Sequence, residues 1–424
     1  MSFTVTDLDA VEILDSRSRP TLQVRLRLGD GTKGWAGVPS GASTGSLEAV
    51  ELRDGDPGRY QGQGVLKACA HVRGELAELL GSRTWDSLAE VDAAMVTADR
   101  TETKSRLGAN AVIGCSLALA RALAASAGQE LYVWLTPDGV ERRMPVPHFN
   151  VLNGGVHAPN ALDFQEFMIA PLGAPSYAEA VRAGSEVYAA LRNRLAGDGH
   201  STSLGDEGGF APDVKQPEDA LRVIVSAIQD AGYVPGRQGV AIALDPAASE
   251  FRQQDGTYLV AGERLSSDDL IVRYEHIVRH FPVWSLEDGL AEDDDTGWRR
   301  LTQDLGHRVQ LVGDDNFVTN PAIITEAVLD GVANAALIKV NQIGTVTETL
   351  QAMKACRDAG YGAMISHRSG ETPDPFIADL AVSGGFGQIK SGAPARGERV
   401  AKYNRLLDIA AHDTALPYGL ADPS

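Results

Sequence analysis

The chain has 424 residues, 43% of them hydrophobic, and a formal net charge of −19. This length exceeds one ordinary domain and fits a barrel of about 250 residues plus a smaller domain. The acidic balance argues against nucleic acid and against a membrane surface as partners. If the substrate is an anion, positive charge must therefore be supplied locally, at the site that binds it.

The cysteines and the apolar segments favour a cytoplasmic protein. Cys69, Cys115 and Cys356 are far apart in the sequence and form no CxxC motif, so we expect free thiols in a reducing compartment. Residues 1–17 are acidic and lack an apolar core, which is not the pattern of a signal peptide. The apolar stretch at residues 109–128 contains polar residues and predicts a buried helix rather than a membrane span.

The first part of the chain predicts an antiparallel sheet followed by helices. Residues 21–28 alternate apolar and polar side chains, which indicates a half-buried strand. The turn Gly29-Asp30-Gly31 can return the chain as a second strand at residues 33–38. Helical patterns then follow at residues 65–80, 85–98 and 108–126. We therefore expect an α+β cap domain at residues 1–135.

Residues 136–424 predict an α/β barrel domain. Short apolar runs each end on a polar residue, and a helical stretch follows each run. The polar residues that end six of these runs are Asp245, Glu287, Asp314, Lys339, His367 and Lys390. Repeated units of this kind indicate a parallel sheet covered on both faces, and six or more favour a closed barrel of the TIM type. On the pattern alone, an open doubly wound sheet is the alternative.

Three carboxylates at strand ends predict a metal site. In a barrel, the carboxyl ends of all parallel strands meet at one face, so Asp245, Glu287 and Asp314 would repel one another there. A hard divalent cation such as Mg²⁺ relieves this repulsion and prefers oxygen ligands. For each residue alone, the alternative is a helix N-cap. Three in succession, facing Lys339 and Lys390, favour the metal.

Lys339 is the predicted base. A simple salt bridge to a carboxylate is the usual role of a lysine in this position. Beside Mg²⁺ and Lys390, however, we expect its pKa to fall, because neighbouring positive charge disfavours the ammonium form. A neutral amine near neutral pH can then remove a proton.

Two loops add groups for anion binding and acid chemistry. Arg368 and Ser369 follow a strand, and a guanidinium with a hydroxyl suits a phosphate. Glu207 lies in the run GDEGG and could protonate a leaving hydroxyl, although a surface turn is the alternative. The PSGASTG run at residues 39–45 has the composition of a mobile lid, and it lacks the GK[ST] of a nucleotide-binding loop.

Together these runs resemble the enolase (phosphopyruvate hydratase) family from about residue 11 to residue 407. The matching runs are PSGASTG, ELRDGD, NGGVHA, QEFM, GDEGG, DPAASEF, LEDG, LVGDDNFVTN, IKVNQIG, SHRSGET and QIKSGAPAR. The resemblance implies an α+β cap on an eight-stranded α/β barrel with one antiparallel start. It also implies a cytoplasmic glycolytic enzyme that assembles as a homodimer or homo-octamer.

The resemblance implies a reaction and a role for each matching residue. The family dehydrates 2-phosphoglycerate, a small phosphorylated hydroxy acid, and a lysine base beside one or two Mg²⁺ ions is the known arrangement of the superfamily. Two Mg²⁺ ions per site are implied, the second arriving with the substrate. Lys339 is the implied base for the C2 proton, and Glu207, assisted by Glu166, the implied acid for the C3 hydroxyl. The other implied roles are the resident metal's ligands Asp245, Glu287 and Asp314, the second metal's ligand Ser43, the phosphate binders Arg368 and Ser369, the carboxylate partner Lys390, the substrate contact Gln165, and the pocket-closing His157 and His367.

The sequence departs from the family pattern at Ser18-Arg19, where Gly-Asn is usual, and at Pro246, Pro373 and Pro375. None of these changes removes a catalytic group, but they leave a specialised paralogue open. That alternative is an enzyme like carboxyphosphonoenolpyruvate synthase, which performs the same elimination on a phosphonate analogue. A non-catalytic binding protein is disfavoured, because it has no reason to keep a cluster of like charges.

Overall fold

The structure is a computed structural model that describes residues 2–41 and 45–421. The chain begins with an antiparallel sheet of three strands, β1 (Val5–Leu14), β2 (Pro20–Leu28) and β3 (Lys33–Gly37), in that spatial order. Along β2 the predicted alternation is confirmed, with Leu22 and Val24 buried and Arg25 exposed. β1 was not predicted from the sequence, although it pairs with β2 along its whole length.

Helices cover one side of this sheet. They are α1 (Leu66–His71), α2 (Ala77–Gly81), α3 (Leu88–Asp99), α4 (Ala109–Ser126) and α5 (Leu131–Trp134), and a π-helical turn, Val72–Leu76, joins α1 to α2. The helix predicted from residue 85 begins later, because the Ser87 hydroxyl caps α3 by accepting from the N–H of Glu90. Trp85 lies before this helix instead, buried and paired with Phe3 through backbone hydrogen bonds.

The apolar helix α4 is a core helix, as expected. Within the described residues, it alone has the length and composition of a membrane span. However, 78% of that window is buried inside the protein. Its contacts with β2 and β3 show that its apolar surface packs against the cap sheet.

Eight strands close into a barrel in the order β10-β11-β12-β13-β4-β5-β6-β9, which confirms the closed barrel over the open sheet. β5 runs antiparallel to both neighbours, whereas the other strand pairs are parallel. The barrel strands are β4 (Val146–Asn153), β5 (Glu166–Ala170), β6 (Ala241–Asp245), β9 (Val283–Glu287), β10 (Gln310–Gly313), β11 (Ala335–Ile338), β12 (Gly362–Ser366) and β13 (Gln388–Lys390). A short hairpin, β7 (Tyr258–Val260) and β8 (Glu263–Leu265), lies outside it.

Helices surround the barrel and fix the loops that carry the predicted site. They are α6 (Tyr177–Gly197), α7 (Pro217–Asp230), α8 (Ser267–His280), α9 (Asp295–Leu305), α10 (Pro321–Asp330), α11 (Val340–Ile343), α12 (Val346–Asp358), α13 (Phe376–Gly384) and α14 (Gly397–His412). Several start at strong caps. Thr345 accepts from the N–H of Glu348, and Ser266 forms a complete capping box with Asp269. These caps define where each loop ends.

The strand-terminal residues lie where the sequence predicted them. Three are the last residues of their strands, and three follow their strands directly. Because all six belong to parallel strands of one barrel, they meet at the carboxyl face. The former three are Asp245, Glu287 and Lys390, and the latter three are Asp314, Lys339 and His367.

Candidate active site

Most of the predicted site residues meet in one small cavity at the carboxyl ends of the barrel strands, while Glu287 lies behind its wall, in contact with Lys390. Its volume is about 20 Å³, enough for about one water molecule. A phosphorylated acid can therefore enter only if side-chain contacts inside the cavity open. The predicted residues that line it are His157, Gln165, Glu166, Glu207, Asp245, Asp314, Lys339, His367, Arg368, Ser369 and Lys390. Ser43, the predicted ligand of a second cation, lies outside the described residues.

A much larger cavity, of about 1230 Å³, lies between the cap and helix α12. Its walls are mainly apolar and include Leu88, Leu123 and Trp134. None of the predicted site residues lines it. Since catalysis requires convergent charged groups, the small polar cavity is the candidate active site.

Lys390 is buried among three carboxylates. Its Nζ donates to Asp245 Oδ2 at 2.9 Å and to Glu287 Oε1 at 2.8 Å, and it lies 3.1 Å from Glu166 Oε2. Burial lowers the pKa of Lys390, but the charges of Asp245, Glu166 and Glu287 raise it by more. The pKa of Lys390 therefore lies well above its ordinary value. Burial and then Asp245 raise the pKa of Glu287 well above its usual range. One ammonium group is thus shared among three acidic side chains, and for Glu287 it does not offset burial and the charge of Asp245.

Lys339 is paired with Asp314, and the expected fall of its pKa, which applies beside Mg²⁺, stays a prediction. Burial does lower the pKa of Lys339, but the Asp314 carboxylate raises it more, so the pKa is above its ordinary value. The expectation assumed a cation beside the lysine, whereas here the lysine is itself the counter-ion of the carboxylate. Two neighbouring side chains also hold this pair in place. Thr319 Oγ1 accepts from the backbone N–H of Lys339 at 2.9 Å, and Gln342 Nε2 donates to Asp314 Oδ1 at 2.9 Å.

The buried carboxylates fit a hard divalent cation. Glu287 Oε2 is buried and has no hydrogen-bond partner among the described residues. Asp314 also belongs, with Asp288 and Asp315, to a group whose oxygen atoms lie within 4.8 Å of one another. Asp288 accepts the N–H groups of Asp314 and Asp315 at 2.9 and 3.1 Å, which orients this loop. All the candidate ligand atoms are carboxylate oxygens, which are the ligands that Mg²⁺ prefers. The assignment of Asp245, Glu287 and Asp314 as the ligand set stays a prediction.

Around Glu207, the carboxyl groups lie beside histidines rather than lysines. His157, Glu166 and Glu207 form a second group with ligand atoms within 4.8 Å of one another. His157 Nδ1 lies 3.8 Å from Glu166 Oε1 and 3.9 Å from Glu207 Oε1. Burial and the Glu207 charge raise the pKa of Glu166 well above its usual range. Burial also raises the pKa of Glu207, but His367 and His157 outweigh it, so that pKa lies well below its usual range. These two directions favour a proton on Glu166 over a proton on Glu207.

His367 is neutral near pH 7, because burial lowers its pKa to about 4. Its Nε2 lies 3.2 Å from Glu207 Oε2, but the direction is not that of a well-aligned hydrogen bond. Its attraction for Glu207 as a cation therefore applies only at low pH. Near neutral pH, Asn150 Nδ2, which donates to Glu207 Oε2 at 3.0 Å, and the Arg399 cation favour the ionised carboxylate.

Arg368 and Ser369 line another part of the cavity, and Arg17 contacts Ser369. Arg368 is buried, and its Nη1 and Nη2 pair with Glu48 at 3.0 and 3.1 Å. Its Nη1 also donates to Asn341 Oδ1 at 3.0 Å. Arg17 Nη1, which comes from the cap, donates to Ser369 Oγ at 3.2 Å. Forked guanidinium donors suit a phosphate, so this end can receive the anionic group of a substrate.

Two family models match the chain. The model described as "Enolase, N-terminal domain" matches residues 5–135, and "Enolase, C-terminal TIM barrel domain" matches residues 141–415. The chain belongs to the enolase family. Enolase-family enzymes are metal-dependent, and the acidic cluster in this cavity could bind a metal. The chain is thus a lyase of the enolase superfamily.

Some residues of this enolase-family site were not singled out from the sequence. Arg17, Glu48 and Asn150 contact predicted site residues directly, yet each comes from a different part of the chain. Arg17 belongs to the stretch before Ser18, and Glu48 follows PSGASTG by three positions. Their position close to runs that match the family was the signal in the sequence that could have identified Arg17 and Glu48 as site residues. Gln165 lines the cavity as predicted, with a buried Oε1 that has no partner in the part of the chain that the structure describes.

The departures from the enolase pattern lie outside the charged centre of the cavity. Ser18 adopts a left-handed backbone with φ of 60°, which explains why glycine is usual there. Pro246 follows Asp245, whose Oδ1 still accepts the N–H of Ala247 at 3.0 Å. Pro373 and Pro375 flank Asp374, which pairs with Arg121 of the cap. These positions change the scaffold and leave the charged groups in place.

Proposed function

We propose that this enolase-family lyase is a phosphopyruvate hydratase, which reversibly dehydrates 2-phospho-D-glycerate to phosphoenolpyruvate in glycolysis. The observation that supports it is that one buried cavity contains a lysine, two neighbouring carboxyl groups and an arginine suited to phosphate. These are Lys339, the pair Glu166 and Glu207, and Arg368 with Ser369. Each half of an elimination, proton removal and hydroxyl protonation, thus has its own group.

Lys339 is the proposed base. Its amine can accept the C2 proton only after it has lost its own proton, which its pairing with Asp314 opposes. Asp245, Glu287 and Asp314 would hold a Mg²⁺ ion, which supplies positive charge against the negative charge that builds up on the substrate carboxylate. With Asp314 engaged as a ligand, Lys339 loses the partner that keeps it protonated. Lys390 would then face the substrate carboxylate.

Glu207 is the proposed acid for the C3 hydroxyl. Since the pKa of Glu166 is raised and that of Glu207 is lowered, a proton held by Glu166 would pass to Glu207 before the hydroxyl leaves. Arg368 and Ser369 hold the phosphate, with Glu48 as the anion that a phosphate replaces at the guanidinium. Gln165 and His157 complete the walls of the cavity.

The test is an ultraviolet assay of enol-pyruvate formation with 2-phosphoglycerate and Mg²⁺, run beside a phosphonate analogue. We expect kcat/KM to be greater for 2-phosphoglycerate. The alternative, a paralogue similar to carboxyphosphonoenolpyruvate synthase, predicts the reverse, although it would use the same Lys339 and Glu207. Turnover of neither compound would contradict both proposals.

The metal assignment has its own test. We propose that one Mg²⁺ binds without substrate and a second binds with it. Asp245→Ala, Glu287→Ala and Asp314→Ala should each weaken the first, because loss of one ligand leaves the others unneutralised. Calorimetric titration measures this, with Asp379→Asn as control, since Asp379 is a buried carboxylate paired with Arg405 and not part of the cavity. Unchanged affinity in all three variants would remove the assignment.

We also propose a cytoplasmic homodimer or homo-octamer that binds neither nucleic acid nor membranes. The three cysteines are free and buried, which agrees with a reducing compartment. Light scattering after size-exclusion chromatography distinguishes the two assemblies from a monomer.

A further inference from the structure

Arg399, in the first turn of α14, is buried completely and reaches the acid side of the cavity. Its Nη1 donates to His367 Nδ1 at 2.6 Å and to the carbonyl oxygen of Arg368 at 2.5 Å. Its Nη2 donates to the carbonyl oxygen of Ser369 at 2.6 Å. This one guanidinium therefore contacts three successive residues, His367, Arg368 and Ser369, of which the last two are the proposed phosphate binders.

Arg399 also holds two other segments of the chain. Its Nη2 lies 3.5 Å from the carbonyl oxygen of Asp206, next to Glu207, and 3.4 Å from Ser16 Oγ in the cap. Its Nε lies 3.3 Å from the carboxylate of Glu398. Most of its partners are thus neutral oxygens. A buried cation held mainly by carbonyl groups is costly compared with an apolar side chain, so packing alone does not account for an arginine here.

The contact with His367 determines where the histidine carries its proton. An arginine side chain has donors and no acceptor, so Nδ1 of His367 must be the acceptor. A neutral imidazole that accepts at Nδ1 carries its single proton on Nε2. Nε2 is the atom that lies 3.2 Å from Glu207 Oε2. The proton therefore lies on the ring nitrogen beside the carboxylate that is the proposed acid, in a contact that is not a well-aligned hydrogen bond.

The charges around His367 balance in favour of this neutral form. Burial lowers the pKa of His367 most, and the Arg399 cation lowers it further. Glu207 and Glu371 oppose this by raising the pKa, but the result is still about 4. Without Arg399, this lowering of the His367 pKa would be lost, while Glu207 and Glu371 would still raise it.

We propose that Arg399 is a positioning residue that fixes His367 as a neutral imidazole protonated on Nε2 and thereby orients Glu207 for proton transfer. The consequence for turnover rests on the proposed function, in which Glu207 acts as the acid. The consequence for the histidine does not, because it concerns the protein alone. The two can therefore fail separately.

The first experiment is nitrogen NMR of full-length protein labelled in histidine, without substrate. The His367 signals are assigned by their loss in His367→Gln. In the unmodified protein we expect Nε2 protonated and Nδ1 bare near neutral pH. In Arg399→Met we expect a mixture of tautomers and a pKa that rises towards the ordinary value of about 6.5. Arg399→Lys, which retains a charged donor, should preserve the Nε2 proton.

Arg405→Met is the matched control, because Arg405 lies on the same helix and pairs with Asp379 rather than with His367. It should leave the His367 signals unchanged. A proton on Nδ1 in the unmodified protein would overturn the proposal, and this outcome does not depend on whether any variant folds. An unchanged tautomer in folded Arg399→Met would overturn it as well.

The second experiment measures turnover of 2-phosphoglycerate against pH. Arg399→Met should lower kcat by about 10–100-fold with a smaller change in KM, as for other residues that orient a catalytic group, and should move the acidic limb of the profile. Arg399→Lys should restore part of kcat. If the NMR result holds and kcat is unchanged, the role of Arg399 in turnover is wrong. If no turnover is found in any form of the protein, the proposed substrate has failed and the tautomer assignment stands on the NMR alone.

Discussion

The two sides of the cavity contain buried carboxylates but neutralise them differently. On the lysine side, Lys390 and Lys339 pair with Asp245, Glu287 and Asp314. On the histidine side, Glu207 is surrounded by a neutral imidazole and an amide. If another cation replaces an ammonium group, the carboxylates beside it are still neutralised. Two neighbouring carboxyl groups that hold one proton can instead pass that proton between them. The lysine side is thus suited to exchanging cations, and the histidine side to moving a proton.

The largest expected effect tests whether the two sides perform separate steps. Lys339→Ala should lose turnover and also the exchange of the substrate C2 proton with deuterated water. Glu207→Gln should lose turnover but retain some exchange, because the carbanion can still form and return. Each loss of turnover should be about 10²–10⁴-fold. Deuterium incorporation followed by NMR measures both, and normal exchange in Lys339→Ala would mean that another residue is the base.

The next prediction concerns cation exchange on the lysine side. Lys390→Met should destabilise the protein in chelator by about 3–5 kcal/mol, because it leaves buried carboxylates unpaired. Added Mg²⁺ should recover part of this loss. Lys402→Met is the control, since Lys402 forms a buried pair with Glu371 at 2.8 Å outside the cavity. Urea unfolding should show a similar loss for the control without recovery, and equal recovery in both would contradict the interpretation.

The smallest effect concerns Asp92, a buried carboxylate that has neither a lysine nor a histidine partner. Burial raises its pKa from 3.8 to about 6. Because the folded state holds this proton more tightly, the charge costs stability as pH rises from about 4 to 6, and the cost, up to about 3 kcal/mol, persists above that range. Asp92→Asn should therefore be more stable than the unmodified protein at pH 7, with the difference vanishing near pH 4.

Unfolding by urea at both pH values measures the Asp92 effect. The hydrogen bonds from Thr347 to the Asp92 carboxylate can also be made to an asparagine oxygen, so the change mainly removes the charge. If Asp92→Asn is less stable than the unmodified protein at pH 7, and not at pH 4, the fold favours the ionised form of Asp92 and the prediction is wrong.

The sequence predicted the barrel and the ends of its strands because each apolar run stops at a polar residue. It did not predict β1, where a register shift between Val5 and Asp7 breaks the period of two. The short, wholly buried β5 was likewise indicated only by the family resemblance. Buried strands lack the alternation that marks a half-exposed strand.

Within the site, the sequence predicted which charged residues converge but not how they pair. The pKa of Lys339 depends on the contact with Asp314, and the state of His367 depends on Arg399. Both contacts join residues from distant parts of the chain. Their geometry follows from tertiary packing, which motif spacing does not encode.

The reversed direction of β5 has a consequence for the symmetry of the barrel. Glu166 is the first residue of β5, yet it pairs in register with Asp245, the last residue of β6. Only a reversed strand can bring its starting residue to the catalytic face. The barrel therefore cannot be rebuilt by repeating one parallel strand–helix unit, because such a unit in the place of β5 would turn Glu166 to the opposite end of the barrel.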